Sequence, residues 1–105
     1  MRKVIYKYPL KNVDFQTILL PYRANIISIQ AQFNQIQLWA EVDYESTVSK
    51  EERHIELHMT GEPYEVSQDI TRKYISTVQT LGGNYVLHAF ELMAGIDLVI
   101  NKTTL

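Results

Sequence analysis

The sequence predicts an all-β protein, a single compact antiparallel β-sandwich or barrel-like domain of about seven to eight short strands, with or without one short helix. Its 105 residues suffice for one domain with one modest core. The aromatic residues favour strands, with seven Tyr against three Phe and one Trp. Short apolar runs that alternate with polar residues recur between turn signals, and no internal repeat interrupts them. We therefore treat residues 1–105 as one domain.

Two strands are predicted at the start of the chain. Residues 3–8 alternate in character and stop at Pro9, and a polar turn leads to a second run over residues 15–20, which stops at Pro21. Because proline cannot donate a ladder hydrogen bond, it is confined to strand ends, edges and bulges. Both strand ends therefore follow from the prolines.

A hairpin is predicted over residues 27–44. Polar residues separate the apolar positions of its first strand, so we expect a buried side made of Ile27, Ile29, Ala31 and Phe33. A tight turn is predicted at Asn34-Gln35. The second strand should turn inward Ile36, Leu38, Ala40, Val42 and Tyr44. It should turn outward Gln37, Trp39, Glu41 and Asp43.

The middle of the chain is more polar. Residues 45–52 are predicted as a loop, with one helical turn over 49–53 as an option because Ser49 and Glu52 fit a capping box. Residues 54–60 form the next predicted strand, whose inward side is Ile55, Leu57 and Met59 and whose outward, solvated side is His54, Glu56 and His58. A turn over 60–63 and a polar loop over 64–73, with or without a short helix, follow.

The stretch from Tyr74 to Glu91 predicts a second hairpin, because two strand-prone runs flank Gly82-Gly83. With these glycines at the centre of the turn, the predicted pairs are Val78–Leu87, Ser76–Ala89, Ile75–Phe90 and Thr77–His88. Neither face is cleanly polar, so we expect a second sheet or another chain to cover both. Residues 96–100 are predicted as a last strand, paired within the chain or with a second subunit.

Composition restricts the classes of function. The net charge of −2 and the pI of about 5.9 argue against a general nucleic-acid-binding protein. The absence of cysteine removes disulfides and thiolate chemistry; a reducing cytosol is the natural setting, and an extracellular particle is also compatible with it. No apolar run is long enough to span a bilayer. No apolar region follows the basic residues at the N-terminus, so a signal peptide is not predicted. No motif predicts a cofactor.

Two groups of side chains could carry chemistry. His54, Glu56 and His58 alternate along one predicted strand, so neighbouring members are about 6.6 Å apart and could share a metal, whereas the two histidines, about 13 Å apart, could not. A solvated face with an opposite-charge pair is the simpler interpretation. His88 lies opposite Thr77 and near Gln79, where it is either a hydrogen-bonded histidine or the polar floor of a pocket.

Trp39 and several cations are further candidates for binding. Trp39 on a polar face either covers neighbouring aliphatic groups or contacts a ligand or partner. The Arg and Lys side chains are either ordinary surface charges or a set that binds phosphate. The second option is open because Arg can bind a phosphate through two parallel hydrogen bonds and Tyr can stack on a base. Such residues stand side by side at Tyr22-Arg23 and at Arg72-Lys73-Tyr74.

Several segments resemble one family. They are V-I-Y-K-Y-P-L, Q-T-I-L-L-P, L-W-A-E-V-D, T-G-E-P and Y-I-S-T-V-Q-T-L-G-G-N-Y-V-L-H-A-F-E. In this order and spacing they resemble small uncharacterised proteins encoded by tailed bacteriophages, over residues 4 to about 92, which leaves 93–105 as a C-terminal extension. The resemblance implies a phage gene product in the host bacterial cytoplasm. It implies no activity and no catalytic residues.

We therefore expect a non-enzymatic, self-associating binding protein that counters a host function such as antiviral defence. It would sequester a nucleotide-type signal or bind a host protein, without membrane association. A virion structural or assembly protein and a small nucleotide-processing enzyme are the alternatives. The loop at 61–73 and the hairpin after it are the predicted working surface, because binding residues concentrate on loops held by a rigid sheet.

Overall fold

The computed structural model describes residues 1–44 and 49–103, which form seven strands and one helix. The strands are β1 (Lys3–Pro9), β2 (Phe15–Pro21), β3 (Asn25–Gln32), β4 (Gln35–Asp43), β5 (Lys50–Met59), β6 (Thr71–Thr80) and β7 (Tyr85–Ala94). The helix α1 spans Ile96–Thr103, and a single 3-10 turn, Leu81–Gly83, connects β6 to β7. The predicted all-β class is confirmed. In the described ranges, no helix has the length and apolar character needed to cross a membrane.

The strands form two antiparallel sheets, one of three strands in the order β1-β4-β3 and one of four in the order β2-β5-β7-β6. The molecule measures 42 × 35 × 21 Å, and its shortest dimension fits two sheets packed about 10 Å apart. The main core lies between the sheets. Its largest fully buried side chains are Leu20, Ile29, Leu38, Ile55, Leu57 and Val78.

One serine links the two sheets where β3 and β6 lie side by side. The Ser76 hydroxyl accepts a hydrogen bond from the Ile29 N–H at 2.9 Å and donates one to the Ile29 C=O at 2.7 Å. Next to this link, each strand has a register irregularity, at Ile27 in β3 and at Ile75 in β6. A side chain thus joins the two sheet edges at this point.

The Gly-Gly hairpin confirms three of its four predicted pairs, Val78–Leu87, Ser76–Ala89 and Thr77–His88. The predicted pair of Ile75 with Phe90 is wrong, because the bulge at Ile75 shifts the register and Tyr74 pairs with Phe90 instead. Gly82 and Gly83 lie in the turn with φ values of 67° and 91°. The turn is longer than the two glycines, since the last strand pair is Thr80 with Tyr85.

The β3–β4 hairpin has the predicted strands but a different turn. Phe33 and Asn34 occupy the turn with φ values of 51° and 64°, and Gln35 already belongs to β4. Phe33 is consequently 97% exposed, and the prediction that it is buried is wrong. Ile27 and Tyr44 are also exposed, because Ile27 lies at the bulge and Tyr44 follows the end of β4.

Three other segments differ in part from the prediction. A helical turn over 49–53 does not form because β5 begins at Lys50, while residues 45–48 of the predicted loop lie outside the described residues. Residues 64–70 form the predicted loop without the optional helix, and residues 71–73 already belong to β6. Residues 96–100 form the first part of α1 rather than a strand, because Gly95 turns the chain with a φ of 80°.

Candidate functional site

The outer face of the four-stranded sheet, turned away from the core, carries most of the predicted binding residues. The register places on this face Arg72, Tyr74, Thr77 and Gln79 of β6, His88 of β7, and His54, Glu56 and His58 of β5. Residues 60–70, called the cover segment below, lie over part of it together with α1. The predicted working surface and the three histidines thus share one face.

The other three candidates lie elsewhere. Trp39 is half-buried on the outer face of the three-stranded sheet, opposite Lys7 and Ser28. Tyr22 and Arg23 form the turn between β2 and β3, where the Arg23 guanidinium carbon lies 5.3 Å from the Tyr22 ring centre. The structure does not bring these residues to the outer face of the four-stranded sheet.

His88 belongs to a chain of side-chain hydrogen bonds. Its Nδ1 lies 3.2 Å from the Thr77 hydroxyl, and its Nε2 lies 2.7 Å from the Thr60 hydroxyl. The Thr77 hydroxyl also lies 2.7 Å from the Tyr74 hydroxyl. Both ring nitrogens of His88 therefore have partners, and the chain connects β6, β7 and the cover segment. Gln79 is exposed at the end of this row.

Glu56 and Arg72 form a buried ion pair, which corrects the prediction of a solvated face. The Arg72 Nε and Nη2 donate to the two Glu56 carboxylate oxygens at 2.5 and 3.3 Å, and Nη1 donates to the Glu65 C=O at 2.8 Å. The two side chains are only 4% (Glu56) and 10% (Arg72) exposed. Arg72 is therefore already neutralised, and the expected free cation for a phosphate is not available at this position.

His58 is buried beside this pair without a hydrogen bond. The residue is 7% exposed, and neither ring nitrogen has a hydrogen-bond partner among the described residues. A carboxylate oxygen lies near each nitrogen, that of Glu56 at 3.6 Å from Nε2 and that of Glu62 at 3.8 Å from Nδ1. Both distances are too long for a hydrogen bond. The imidazole also stacks on Tyr64, with ring centres 4.5 Å apart.

A recess of about 150 Å³ opens at His58, which we call the His58 recess. It is lined by Asp14, Phe15, Glu56, His58, Glu62, Tyr64, Glu65, Ile70, Arg72 and Val99. Four of the lining residues are acidic and one is basic, so the residues around the recess carry a net negative charge, while its accessible surface is mostly apolar. Its volume equals that of about five waters and lies below the roughly 300–1,000 Å³ of small-molecule pockets. A single side chain fits this space better than a nucleotide does.

The metal candidates do not converge on one point. His54 Nδ1 lies 3.0 Å from the Thr17 hydroxyl, and its ring stacks on Phe15 rather than turning towards His58. Within residues 1–44 and 49–103, no three His, Asp or Glu side chains are placed to hold one metal ion. The nearest carboxylate to His58, Glu56, is committed to Arg72.

A larger cleft of about 760 Å³ lies at one end of the sandwich, between the turns that follow β1, β3 and β6. Its walls include Lys11, Asn34, Thr80 and Tyr85. The Asn34 side-chain oxygen accepts a hydrogen bond from the Leu81 N–H at 3.0 Å, so this wall is partly used by the fold itself. The cleft has the volume of a small-molecule pocket.

Sequence reasoning missed Glu62, Tyr64 and the residues before β2 as parts of a site. Tyr64 connects the site, since it stacks on His58, lies 6.0 Å from the Phe90 ring centre and has the Arg72 guanidinium carbon at 5.1 Å. A signal was present, because an aromatic residue and two glutamates stand in the segment predicted as the working surface. The contact of Tyr64 with His58 depends on how residues 60–70 fold back over the sheet, and no local sequence pattern encodes that.

The chain is a small β-protein of two sheets. On the outer face of its four-stranded sheet, it carries a recess lined by His58 and by acidic residues. By sequence, the chain belongs to the family described as Domain of unknown function (DUF7352), whose model matches residues 1–97. The match extends past β7 to the start of α1. No curated protein and no solved structure matches the chain.

Proposed function

We propose that the protein is a small, phage-encoded, non-enzymatic binding protein that blocks a host component, for example one of antiviral defence. The His58 recess is its contact point. The observation that carries this proposal is His58, a lining residue of the open recess whose two buried ring nitrogens have no hydrogen-bond partner among the described residues. A buried polar group without partners is unfavourable unless a ligand or partner completes its hydrogen bonds. The segments that resemble tailed-phage proteins support the phage origin.

The charges favour a host protein over a nucleotide-type signal. The recess carries an excess of carboxylates, and a basic side chain of a protein partner complements it in both size and charge. A nucleotide would need free cations for its phosphates, whereas Arg72 is paired with Glu56 and Arg53 with Glu91. Glu91 raises the pKa of Arg53 by hydrogen bonding, against the opposing effect of burial, so that charge is held by the fold.

Two other functions remain as alternatives. The larger cleft, with Lys11 and Tyr85 on its walls, favours the nucleotide-signal case because its volume suits such a ligand. An enzyme would use His88, whose Nε2 lies within hydrogen-bond reach of the Thr60 hydroxyl. The other nitrogen of His88 meets Thr77 rather than an orienting carboxylate, and replacement of His88 by Ala tests this case directly.

Native mass spectrometry of the tagged protein purified from host lysate tests the proposal. We expect a host protein to co-purify with the wild type. The complex should be lost in Glu62→Lys, because the new positive charge repels the basic side chain of the partner. It should be kept in Glu41→Lys, a matched charge reversal on the other sheet. A sub-kilodalton adduct would instead support the nucleotide case, and a bare protein that is abundant in purified virions would support a structural role.

His58→Phe separates binding from stability. Phe keeps the aromatic stack on Tyr64 and removes two unsatisfied buried nitrogens, so the free energy of unfolding should rise by about 1 to 2 kcal/mol. The same variant should lose the partner. Urea denaturation and the purification above give both readouts. A variant that is less stable than the wild type, or that keeps its partner, would contradict a binding role for His58.

A further inference from the structure

β2 has a free edge with backbone groups ready to pair. The Leu57 N–H bonds to the Asp14 C=O and the Tyr22 N–H bonds to the Ser49 C=O, so even-numbered residues of this stretch face β5. The alternation of an antiparallel ladder then turns the N–H and C=O groups of Phe15, Thr17 and Leu19 away from β5. No strand in the described part of the chain pairs with this edge.

In the three-stranded sheet, β1 is also an edge strand. Unlike β2, it carries residues that prevent association with another strand. Its outward-facing backbone belongs to Lys3, Ile5, Lys7 and Pro9, since the bonds of Leu10 and Tyr44 orient the even-numbered residues towards β4. Lysines and proline are the usual means of blocking edge-to-edge association. The seven residues of β2 carry no charge, and its central exposed side chain, Leu19, is 58% accessible.

We propose that β2 pairs with β2 of a second copy of this chain, which joins two four-stranded sheets into one continuous eight-stranded sheet. This inference is independent of the proposed host target. An antiparallel pair centred on Thr17 makes hydrogen-bonded pairs of Phe15 with Leu19, Thr17 with Thr17 and Leu19 with Phe15. Every backbone group of the free edge over these residues is then used, and the exposed Leu19 meets an aromatic ring.

Charge selects a second copy at β2 and excludes the same arrangement at β1. In the Thr17-centred pair, the formal charges nearest to β2 along the chain are the two Asp14 side chains, one residue before each strand, which lie six residues apart along the pair, about 20 Å. That distance exceeds the screening length of about 8 Å at physiological salt. The corresponding pair of two β1 strands centred on Ile5 would set Lys3 directly opposite Lys7 twice, which is destabilising.

The pairing also places the His58 recess beside the junction. Asp14 and Phe15, at the start of β2, line the recess, so a dimer presents two recesses on the same face of one sheet, one on either side of the β2–β2 pair. A partner with two basic side chains could then engage both copies and gain from the higher effective concentration.

Sedimentation velocity of the purified wild type, with native mass spectrometry, tests the proposal. We expect a species of twice the 12.2 kDa chain mass. Leu19→Lys should be monomeric at concentrations where the wild type is dimeric. Thr17→Pro should also be monomeric yet folded, because the lost N–H faces away from β5. Ile5→Lys is the matched control, since Ile5 is 55% exposed at the centre of the other edge, and it should remain dimeric.

Amide hydrogen exchange gives a residue-specific readout. In the wild type the amides of Phe15, Thr17 and Leu19 should be as protected as those of Gln16 and Ile18, which bond to β5. In Leu19→Lys only the first three should lose protection. A monomeric wild type, a Leu19→Lys dimer, an Ile5→Lys monomer, or a β2 edge protected only by a host protein would each overturn the assignment to a second copy.

Discussion

Glu56, His58 and Arg72 lie on the outer face of the four-stranded sheet yet are largely buried, because the cover segment returns over them. At residue scale, the neighbouring buried side chains differ in their hydrogen bonding. The Glu56–Arg72 pair is satisfied, with a bidentate contact and a further bond to the Glu65 C=O. His58 Nε2 lies 3.6 Å from the same carboxylate, and neither ring nitrogen has a hydrogen-bond partner in the described part of the chain. The ion pair is complete within the fold, whereas the incomplete hydrogen bonding of His58 is the observation on which the proposed binding role rests.

The buried pair predicts strongly non-additive mutations. Arg72→Met should lower the free energy of unfolding by roughly 3 to 5 kcal/mol, since it leaves the Glu56 carboxylate buried without a partner. Adding Glu56→Leu should recover most of that loss, because an apolar pair replaces the ion pair. Urea denaturation of both variants measures the effect. Lys3→Met, which breaks the exposed Lys3–Asp43 pair, is the control and should leave stability unchanged. A double variant as unstable as Arg72→Met would refute this account.

At the scale of elements, α1 shows how one backbone position overrides a local pattern. Residues 96–100 are apolar enough to be predicted as a strand, but Gly95 ends β7 with a φ of 80° and its C=O accepts bonds from the Leu98 and Val99 N–H groups. Val99 is buried, and it lines the His58 recess. The helix thus completes one wall of the site.

Gly95→Ala should be more harmful than the same change at another left-handed glycine. A Cβ at Gly95 would lie 2.4 Å from the Asp69 carbonyl oxygen and 2.9 Å from the Ile70 Cα, whereas a Cβ at Gly61, with a φ of 87°, meets nothing within 4 Å. We expect Gly61→Ala to cost about 1 to 2 kcal/mol from conformation alone, and Gly95→Ala to cost clearly more. Thermal unfolding of the two variants measures the difference. Equal costs would show that the backbone at Gly95 does not lie close to residues 69–70.

At the scale of the whole molecule, the two sheets share a core, and the Ser76 side chain links them where β3 and β6 lie side by side. Ser76 uses its hydroxyl for both the N–H and the C=O of Ile29, a residue with no exposed surface. The bulges at Ile27 and Ile75 occur next to this link, where the ladder of each sheet is irregular. The hydroxyl therefore satisfies backbone groups that neither sheet satisfies.

Ser76→Ala should lower the free energy of unfolding by about 1 to 3 kcal/mol, because it leaves a buried N–H and C=O of Ile29 unpaired. Ser28→Ala makes the same chemical change on a half-buried strand residue with no side-chain hydrogen bond among the described residues, and it should be close to neutral. Chemical denaturation distinguishes the two. If both variants are equally stable, the link contributes nothing to holding the sheets together.

Local patterns were sufficient for much of the fold. Alternation with a period of two, together with Pro9 and Pro21, predicted the first two strands. Because three of its four predicted pairs were confirmed, the Gly82-Gly83 hairpin shows that a turn signal can also define a register. The errors arose where backbone geometry departs from regular alternation, at the two bulges and at the positive φ values of Phe33 and Gly95. Such departures are set by neighbouring strands and not by side-chain polarity.

Strand alternation and composition predict the all-β class and the outward direction of Glu56 and His58. The bulge at Ile75 brings Arg72 and Tyr74 onto the face of His88, which regular alternation does not predict. Tertiary packing then covers part of this face, pairs Arg72 with Glu56 and stacks Tyr64 on His58. The difference comes from how far apart in the sequence the interacting residues are. Alternation along a strand is a property of adjacent residues, whereas burial of an outer face depends on segments that pack back from elsewhere in the chain.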